Sequence, residues 1–427
     1  MGVDQALGDV MAALGRAPIS ENLFADKNFL ELSKLCKERY GANNSFALCS
    51  ALRSLGLPHG ISSNQATLTF DASTATSKIH EAFARRTSRR RYMCPLDLAD
   101  SLPRISFGSA CIDRFSSAEL KVMFDAERLS RHFPSIDFEF DRFALFHWLV
   151  LEEEVPVDPK RHRFFPFDSS SDRSAIEPHS AKYPAVVENA IAFLLLKPWE
   201  EWVAYSDLDW RGFQVPWIYT VDDDIFTQPL RPPSPDTLTF GLDFIHDDDG
   251  DEIEIERAEY LPLQSGVGLG SDDDCDWKKW EFASSSALFD TPVVHFLVRA
   301  FLSDGIDEFL AHLTVIEAAF GLGSDHANGA KKKPDPRNGF SATACVATRL
   351  AAAIGDSGAY EDYSRLFGLR SEFVHGRASV KPIAGVDRVL ARQLARRATQ
   401  ALVNLASTSD DREQCLGDLF VRGRNIR

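Results

Sequence analysis

The feature that most constrains this chain is a change of hydrophobic period near residue 285. Ahead of it, 237–245 and 252–256 alternate apolar and polar residues, the period of a strand with one buried face. Asp247-Asp248-Asp249-Gly250-Asp251 separates the two runs and holds the Asp-Gly signal of a hairpin turn. Behind residue 285, apolar residues recur at helical spacing near 291–303, 305–321, 340–354, 359–375 and 384–406. A run with helical period cannot keep one face in a core as a strand. The expected fold class is therefore an α+β N-terminal region over 1–284, open to division into two subdomains, followed by an all-α helical bundle over 285–427. At 427 residues the chain also exceeds one ordinary core.

Within the front region, Leu7, Val10, Met11 and Leu14 sit at helical spacing. Arg104 to Gly108 is strand-like, and Ser116 with Glu119 has a weak capping-box pattern. Arg85, Arg86, Arg89, Arg90 and Arg91 cluster beside Tyr92. Such a cluster is either an RNA-contacting patch with a stacking face or a solvated helix end or loop, and the second is expected. Aspartate runs at 222–224, 247–249 and 272–274 invite a metal reading. The alternation of Asp247, Asp249 and Asp251 suits a calcium loop, but Glu252 stands where the glycine belongs. The runs are expected to be solvated turns, and no metal is expected.

Several function classes drop out. The seven cysteines include no Cys-x-x-Cys pair, which argues against zinc knuckles and a disulfide framework. No apolar run approaches the roughly 18 residues of a membrane span. The strongest, 190–196, is broken by Lys197 and Pro198. The start lacks the basic flank and apolar stretch of a secretion signal, so no membrane contact and a cytoplasmic location are expected. Phosphate-loop, zinc-protease and nucleophile-elbow motifs are missing. A net charge of −16 speaks against non-specific coating of nucleic acid. That acid lies ahead of Leu288, and the remainder is slightly basic, so any nucleic-acid contact there is local.

Chemistry is carried by Arg370-Ser371-Glu372-Phe373-Val374-His375, at the end of a helical segment that stops at Gly376. A guanidinium grips a phosphate through two parallel hydrogen bonds and stabilises charge growing on it. An imidazole moves a proton near neutral pH. With an RNA 2′-OH as internal nucleophile, no metal is required. Five helical residues rise about 7.5 Å and turn about 140°, so the two side chains diverge on one helix. They converge best across a cleft shared with another helix or a second subunit. The spacing alone is weak, because Arg142 and His147 repeat it in an apolar stretch where a core histidine is expected.

The wider context separates the two instances. Residues 363–376, with Arg370-Ser371 and Val374-His375-Gly376, resemble the signature helix of the HEPN superfamily, in particular its Apea-like branch. Residues 309–320 with Glu317, 343–354 with Arg349, and 386–405 are similar to that family's early, preceding and closing helices. The resemblance covers about the last third of the chain, and its specific part is the signature helix. It implies a small helical bundle that forms a homodimer, with two Arg/His pairs lining one cleft. It also implies a metal-independent endoribonuclease of a prokaryotic antiviral defence or toxin system, without cofactor, restrained until the N-terminal region senses a trigger. Carried over by position, Arg370 binds and polarises the phosphate of RNA, and His375 is the general acid or base. Ser371 contacts substrate, with Glu317 and Arg349 in support, and Lys331, Lys332 and Lys333, in a loop between family helices, either contact substrate near the cleft or form a solvated loop. Ser371 departs from the Asn, Asp or His common after this arginine in the broader superfamily. The alternative is a non-catalytic HEPN-type module that binds nucleotide or RNA or dimerises, with Arg370 bridging to Glu372 or Glu317.

Overall fold

The computed structural model describes residues 3–16, 23–41, 45–57, 71–157, 183–197, 199, 209–246, 252–261, 273–326, 339–376, 382–409 and 411–425. The front of the chain begins with α1 (Val3–Arg16), α2 (Lys27–Tyr40), α3 (Ser45–Ser54) and α4 (Ala72–Ala84). It continues through β1 (Thr87–Leu96), β2 (Ile105–Phe107), β3 (Ala110–Asp113), α5 (Ser117–Met123), α6 (Ala126–His132), α7 (Phe140–Phe143) and β4 (His147–Pro156). Then come α8 (Ala185–Leu195), β5 (Tyr219–Asp222), β6 (Phe240–His246) and β7 (Glu252–Ala258). The rest is helical: α9 (Asp273–Ser284), α10 (Val293–Phe301), α11 (Gly305–Phe320), α12 (Ala342–Ile354), α13 (Gly358–Val374), α14 (Gly385–Ala406) and α15 (Arg412–Arg424). None of the described helices is long and apolar enough to cross a membrane.

The chain forms two compact units, and they do not divide at 284/285. The first comprises Met1–Asp97, Ser109–Ala175 and Val215–Ala258; the second comprises Leu98–Gly108, Ile176–Gln214 and Glu259–Arg427. The front of the sequence thus contributes to both. One reason is α8, where Val187 and every residue from Ala190 to Leu195 are buried. A helix apolar all round must be enclosed by its neighbours. It is held in the second unit by Arg396 donating to the Leu195 carbonyl at 3.1 Å. Glu188 on this helix is 5 % exposed. Burial pushes its carboxyl up to about 7, against the lowering effect of the Tyr183 N–H. The folded state therefore favours the protonated form. That contribution is complete below the ordinary value of 4.5 and is lost as pH rises through about 7. Glu188→Gln should be more stable than the wild type by roughly 2–3 kcal/mol at about pH 8.5, with the gap closed at about pH 4, in urea denaturation. Equal stability at the higher pH would mean that the ionised carboxylate is well satisfied.

The first unit joins a helical layer to an antiparallel sheet. Leu7, Met11 and Leu14 of α1 are buried with Phe29, Leu32, Leu48 and Ile79. This is the face marked by their helical spacing. The sheet order within this unit is β3-β4-β1-β5, all antiparallel. Met93, Trp148, Val150 and Tyr219 share a core with Phe124 and Phe143. The capping box at the start of α5 is fully formed, with Ser116 and Glu119 each bonding the other's backbone N–H.

The basic cluster is a helix end only at its start, where Arg85 caps α4 and Arg86 leads into β1. Arg89, Arg90 and Arg91 lie in β1, between β4 and β5. Arg91 pairs with Glu152 at 2.5 Å and Arg90 with Asp222 at 3.0 Å, while Arg85 pairs with Asp223 at 2.7 Å. Tyr92 is buried and donates its hydroxyl to Glu153. Arg90 and Arg91 are matched by acids on adjacent strands and Tyr92 is buried, so the strand offers no open stacking face for RNA. The run at 222–224 is likewise not a solvated turn, since Asp224 is buried and accepts the Phe226 N–H at 3.1 Å. Asp273 and Asp274 open α9 rather than a turn, while Asp247 to Asp249 and Asp272 lie outside the described residues.

The expected hairpin is β6–β7, with Ile245 opposite Ile253 and Phe244 opposite Glu254. In the second unit, the five expected helices are α10 to α14, within about two residues at each end. The period did not reveal α9 and α15. The buried side chains of α9 are Trp277, Trp280 and Ala283, three residues apart among charges. Arg142 and His147 part company: Arg142 in α7 pairs with Asp236 and Glu256, and His147 is a buried residue of β4. All seven cysteines are free thiols.

Candidate functional site

Helix α13 carries the Arg/His pair at its C-terminal end. His375 is the C-cap residue, its backbone N–H bonding the Ser371 carbonyl at 3.1 Å. Gly376 follows at φ +62°, the left-handed turn that ends many helices and that a glycine adopts without strain. The sequence therefore terminates the helix one residue beyond the histidine. His375 is exposed, as are Phe373 and Val374 before it. Arg370 is half-buried one turn earlier.

The arginine opens onto a pocket of about 290 Å³ formed by four consecutive elements of the second unit. Its walls are Glu317 and Gly321 at the end of α11, Asp325 and His326 in the following 3₁₀ turn, Ala342 and Val346 of α12, and Tyr363, Phe367 and Arg370 of α13. The last three fall at positions i, i+4 and i+7, which is one helix face. His375, five residues beyond Arg370, is turned by about 140° from that face and does not line the pocket. Ser371 does not line it either.

Arg370 makes an ion pair with Glu317 at 3.3 Å, and its guanidinium lies 5.4 Å from the Phe367 ring centre. The side chains of the pair are 30 % and 27 % exposed, so solvent screens it in part. Burial raises the Glu317 carboxyl above its ordinary value, while Arg370 and His326 pull it down. Tyr363 forms part of the wall and is wholly buried. Burial, and then the Glu317 charge, push its phenol well above the ordinary range, and Arg370 opposes them.

Arg349, expected in support, acts at one remove. It is completely buried and holds Asp325 through two hydrogen bonds, of 2.5 and 2.9 Å. It also donates to the carbonyls of Phe320 at 2.9 Å and Leu416 at 3.1 Å. One guanidinium thus ties α12 to the end of α11, to α15 and to the turn that carries His326. Helix α15 lies close to α12 there, since a Cβ at Gly423 would stand 2.4 Å from the Thr348 carbonyl oxygen. Lys331, Lys332 and Lys333 lie outside the described residues.

On another side of α13, Phe373 lines an apolar groove of about 460 Å³ with Ile306, Phe309, Pro382, Ile383 and Arg388. Val374 is 55 % and Val386 70 % exposed. Compared with known proteins, the chain matches no family model, no curated protein and no solved structure.

Of the residues expected from the sequence, Arg370 and Glu317 meet in the pocket and His375 stands outside it, while Tyr363 and His326 line it without having been expected. The signal for Tyr363 was present, seven residues before Arg370 and so on the same helix face. Nothing local marked His326, which the Arg349–Asp325 pair anchors from a different helix.

Proposed function

We propose that the protein is a metal-independent endoribonuclease of the HEPN type. The observation that carries this reading is the position of Arg370 in a pocket wall, with His375 exposed at the cap of the same helix. The resemblance of 363–376 to the HEPN signature supports it independently. His375 takes the proton of a 2′-OH, and that oxygen attacks the adjacent phosphorus. Arg370 holds the two non-bridging oxygens as charge accumulates on them. The bond to the 5′-oxygen breaks, a proton returns to that oxygen, and the products are a 2′,3′-cyclic phosphate and a 5′-OH. Incubating the purified protein with single-stranded RNA, with and without EDTA, tests this. Cleavage unaffected by EDTA is expected, and cleavage that EDTA abolishes removes the metal-independent reading.

We further propose that the active form is a homodimer. On one helix the two side chains diverge, so a second copy is needed to bring an arginine and a histidine to one phosphate. Exposed Phe373, Val374 and Val386 give the end of α13 an apolar surface suited to that contact. Light scattering at micromolar concentration should give twice the chain mass of 47.6 kDa. A monomer that persists with RNA present would count against the dimer.

One observation favours a second reading. Arg370 is already engaged by Glu317, as a purely structural arginine would be. In that case the bundle binds nucleotide or RNA, or pairs with a partner, without cutting.

A further inference from the structure

We propose that the pocket between α11, α12 and α13 binds a phosphate group, and that Tyr363 is a ligand-contacting residue, donating its hydroxyl to a phosphate oxygen held by Arg370. This rests on the assignment of Arg370 as a phosphate-binding group, but not on cleavage.

Tyr363 is 0 % exposed, and its hydroxyl has no hydrogen-bond partner among the described residues. Buried polar groups are nearly always satisfied, so a buried hydroxyl left open in a pocket wall calls for an explanation. Its surroundings restrict what can supply the partner. Ala342, Val346 and Phe367 offer no acceptor, Asp325 is taken up by Arg349, and neither Thr343 nor His326, the other polar side chains of the lining, bonds the hydroxyl. Glu317 and Arg370 are near enough for their charges to act on the phenol. A ligand oxygen that reaches Arg370 therefore also comes within the neighbourhood of the hydroxyl.

The charges select an anion. Arg370 and His326 face the pocket with two carboxylates, of which Asp325 is neutralised by Arg349 and Glu317 is biased by burial towards its neutral form. The Arg370–Glu317 ion pair occupies the guanidinium in the unliganded protein. A phosphate has the charge and oxygen geometry to replace that carboxylate through a bidentate contact. A volume of about 290 Å³ accommodates a phosphate with its attached sugar rather than a long ligand. Two sources share this chemistry, the phosphate of a mononucleotide and the backbone phosphate of a strand.

Calorimetric titration separates them. Wild type, Tyr363→Phe and Arg370→Ala are each titrated with AMP, with adenosine, and with an all-2′-deoxy octanucleotide that lacks the internal nucleophile. Wild type should bind AMP or the octanucleotide at least about tenfold more tightly than adenosine. AMP alone identifies a nucleotide ligand, and the octanucleotide identifies a strand. Tyr363→Phe should weaken that binding about tenfold, the loss expected for one hydrogen bond to a charged group. Its unliganded melting temperature should stay within about 2 °C of wild type, because no protein bond is removed. Arg370→Ala should bind neither probe. The proposal is overturned if neither probe binds wild type at millimolar concentration, or if Tyr363→Phe binds as tightly as wild type. It also fails if Tyr363→Phe alone melts several degrees lower, since the hydroxyl then already has a protein partner. Phosphate binding without RNA cleavage would remove the nuclease reading and leave this one. Cleavage with Tyr363→Phe binding unchanged would do the reverse.

Discussion

His375→Ala and Arg370→Ala are each expected to reduce RNA cleavage by about 10²–10⁴, the usual worth of a positioned acid–base group or of a main oxyanion contact. Neither change should unfold the protein. His375 is exposed at a helix cap, and the ion pair of Arg370 with Glu317 is partly screened by solvent. Circular dichroism and melting temperature therefore provide the control. Arg370→Lys should fail nearly as badly, because an ammonium cannot reproduce the planar fork. Arg142→Ala serves as the contrasting variant with the same sequence spacing. Its ion pairs with Asp236 and Glu256 lie in the other unit, so cutting should persist. Wild-type cleavage by His375→Ala would leave Arg370 and His375 as structural residues and favour a binding module.

The second large effect is on stability. Arg349→Met should cost about 3–5 kcal/mol, because it leaves the buried Asp325 carboxylate without its counter-charge. The same change removes donors from the carbonyls of Phe320 and Leu416, so three elements lose their common tie. Arg349→Met combined with Asp325→Leu should cost less than Arg349→Met alone, since no buried charge is then stranded. Urea denaturation at neutral pH measures both. A single-variant loss below about 1 kcal/mol would mean that Asp325 is readily rehydrated. The consequence for the site is direct. His326 stands next to Asp325, so partial recovery of stability in the double variant need not restore the pocket wall.

The most legible features of the sequence were those encoded over a few residues. The alternation at 237–245 and 252–256 is the β6–β7 hairpin, and the five helical-period segments are α10 to α14. Ser116 and Glu119 specify their capping box within a single turn. Gly376 ends α13 because a left-handed residue is needed at that place. Each signal acts between residues close in sequence, so no knowledge of the rest of the chain is required.

What stayed hidden depended on distant partners. The arginines of β1 read as a solvated cluster, yet their partners Glu152 and Asp222 lie 61 and 132 residues away. Composition shows the charges but not which strands will be neighbours. The helical unit also draws in α8 from the front of the chain. Periodicity finds the edge of a pattern, whereas a core is assembled by whichever apolar surfaces meet. At the site, local sequence is enough to put Arg370 and His375 on one helix, five residues apart, ahead of a terminating glycine. Packing of the neighbouring helices sets Arg370 against a pocket shared with Glu317, His326 and Tyr363 and leaves His375 outside it. The physical reason is that helical rotation is set by the local backbone, but burial and charge pairing are set by the helices packed against it.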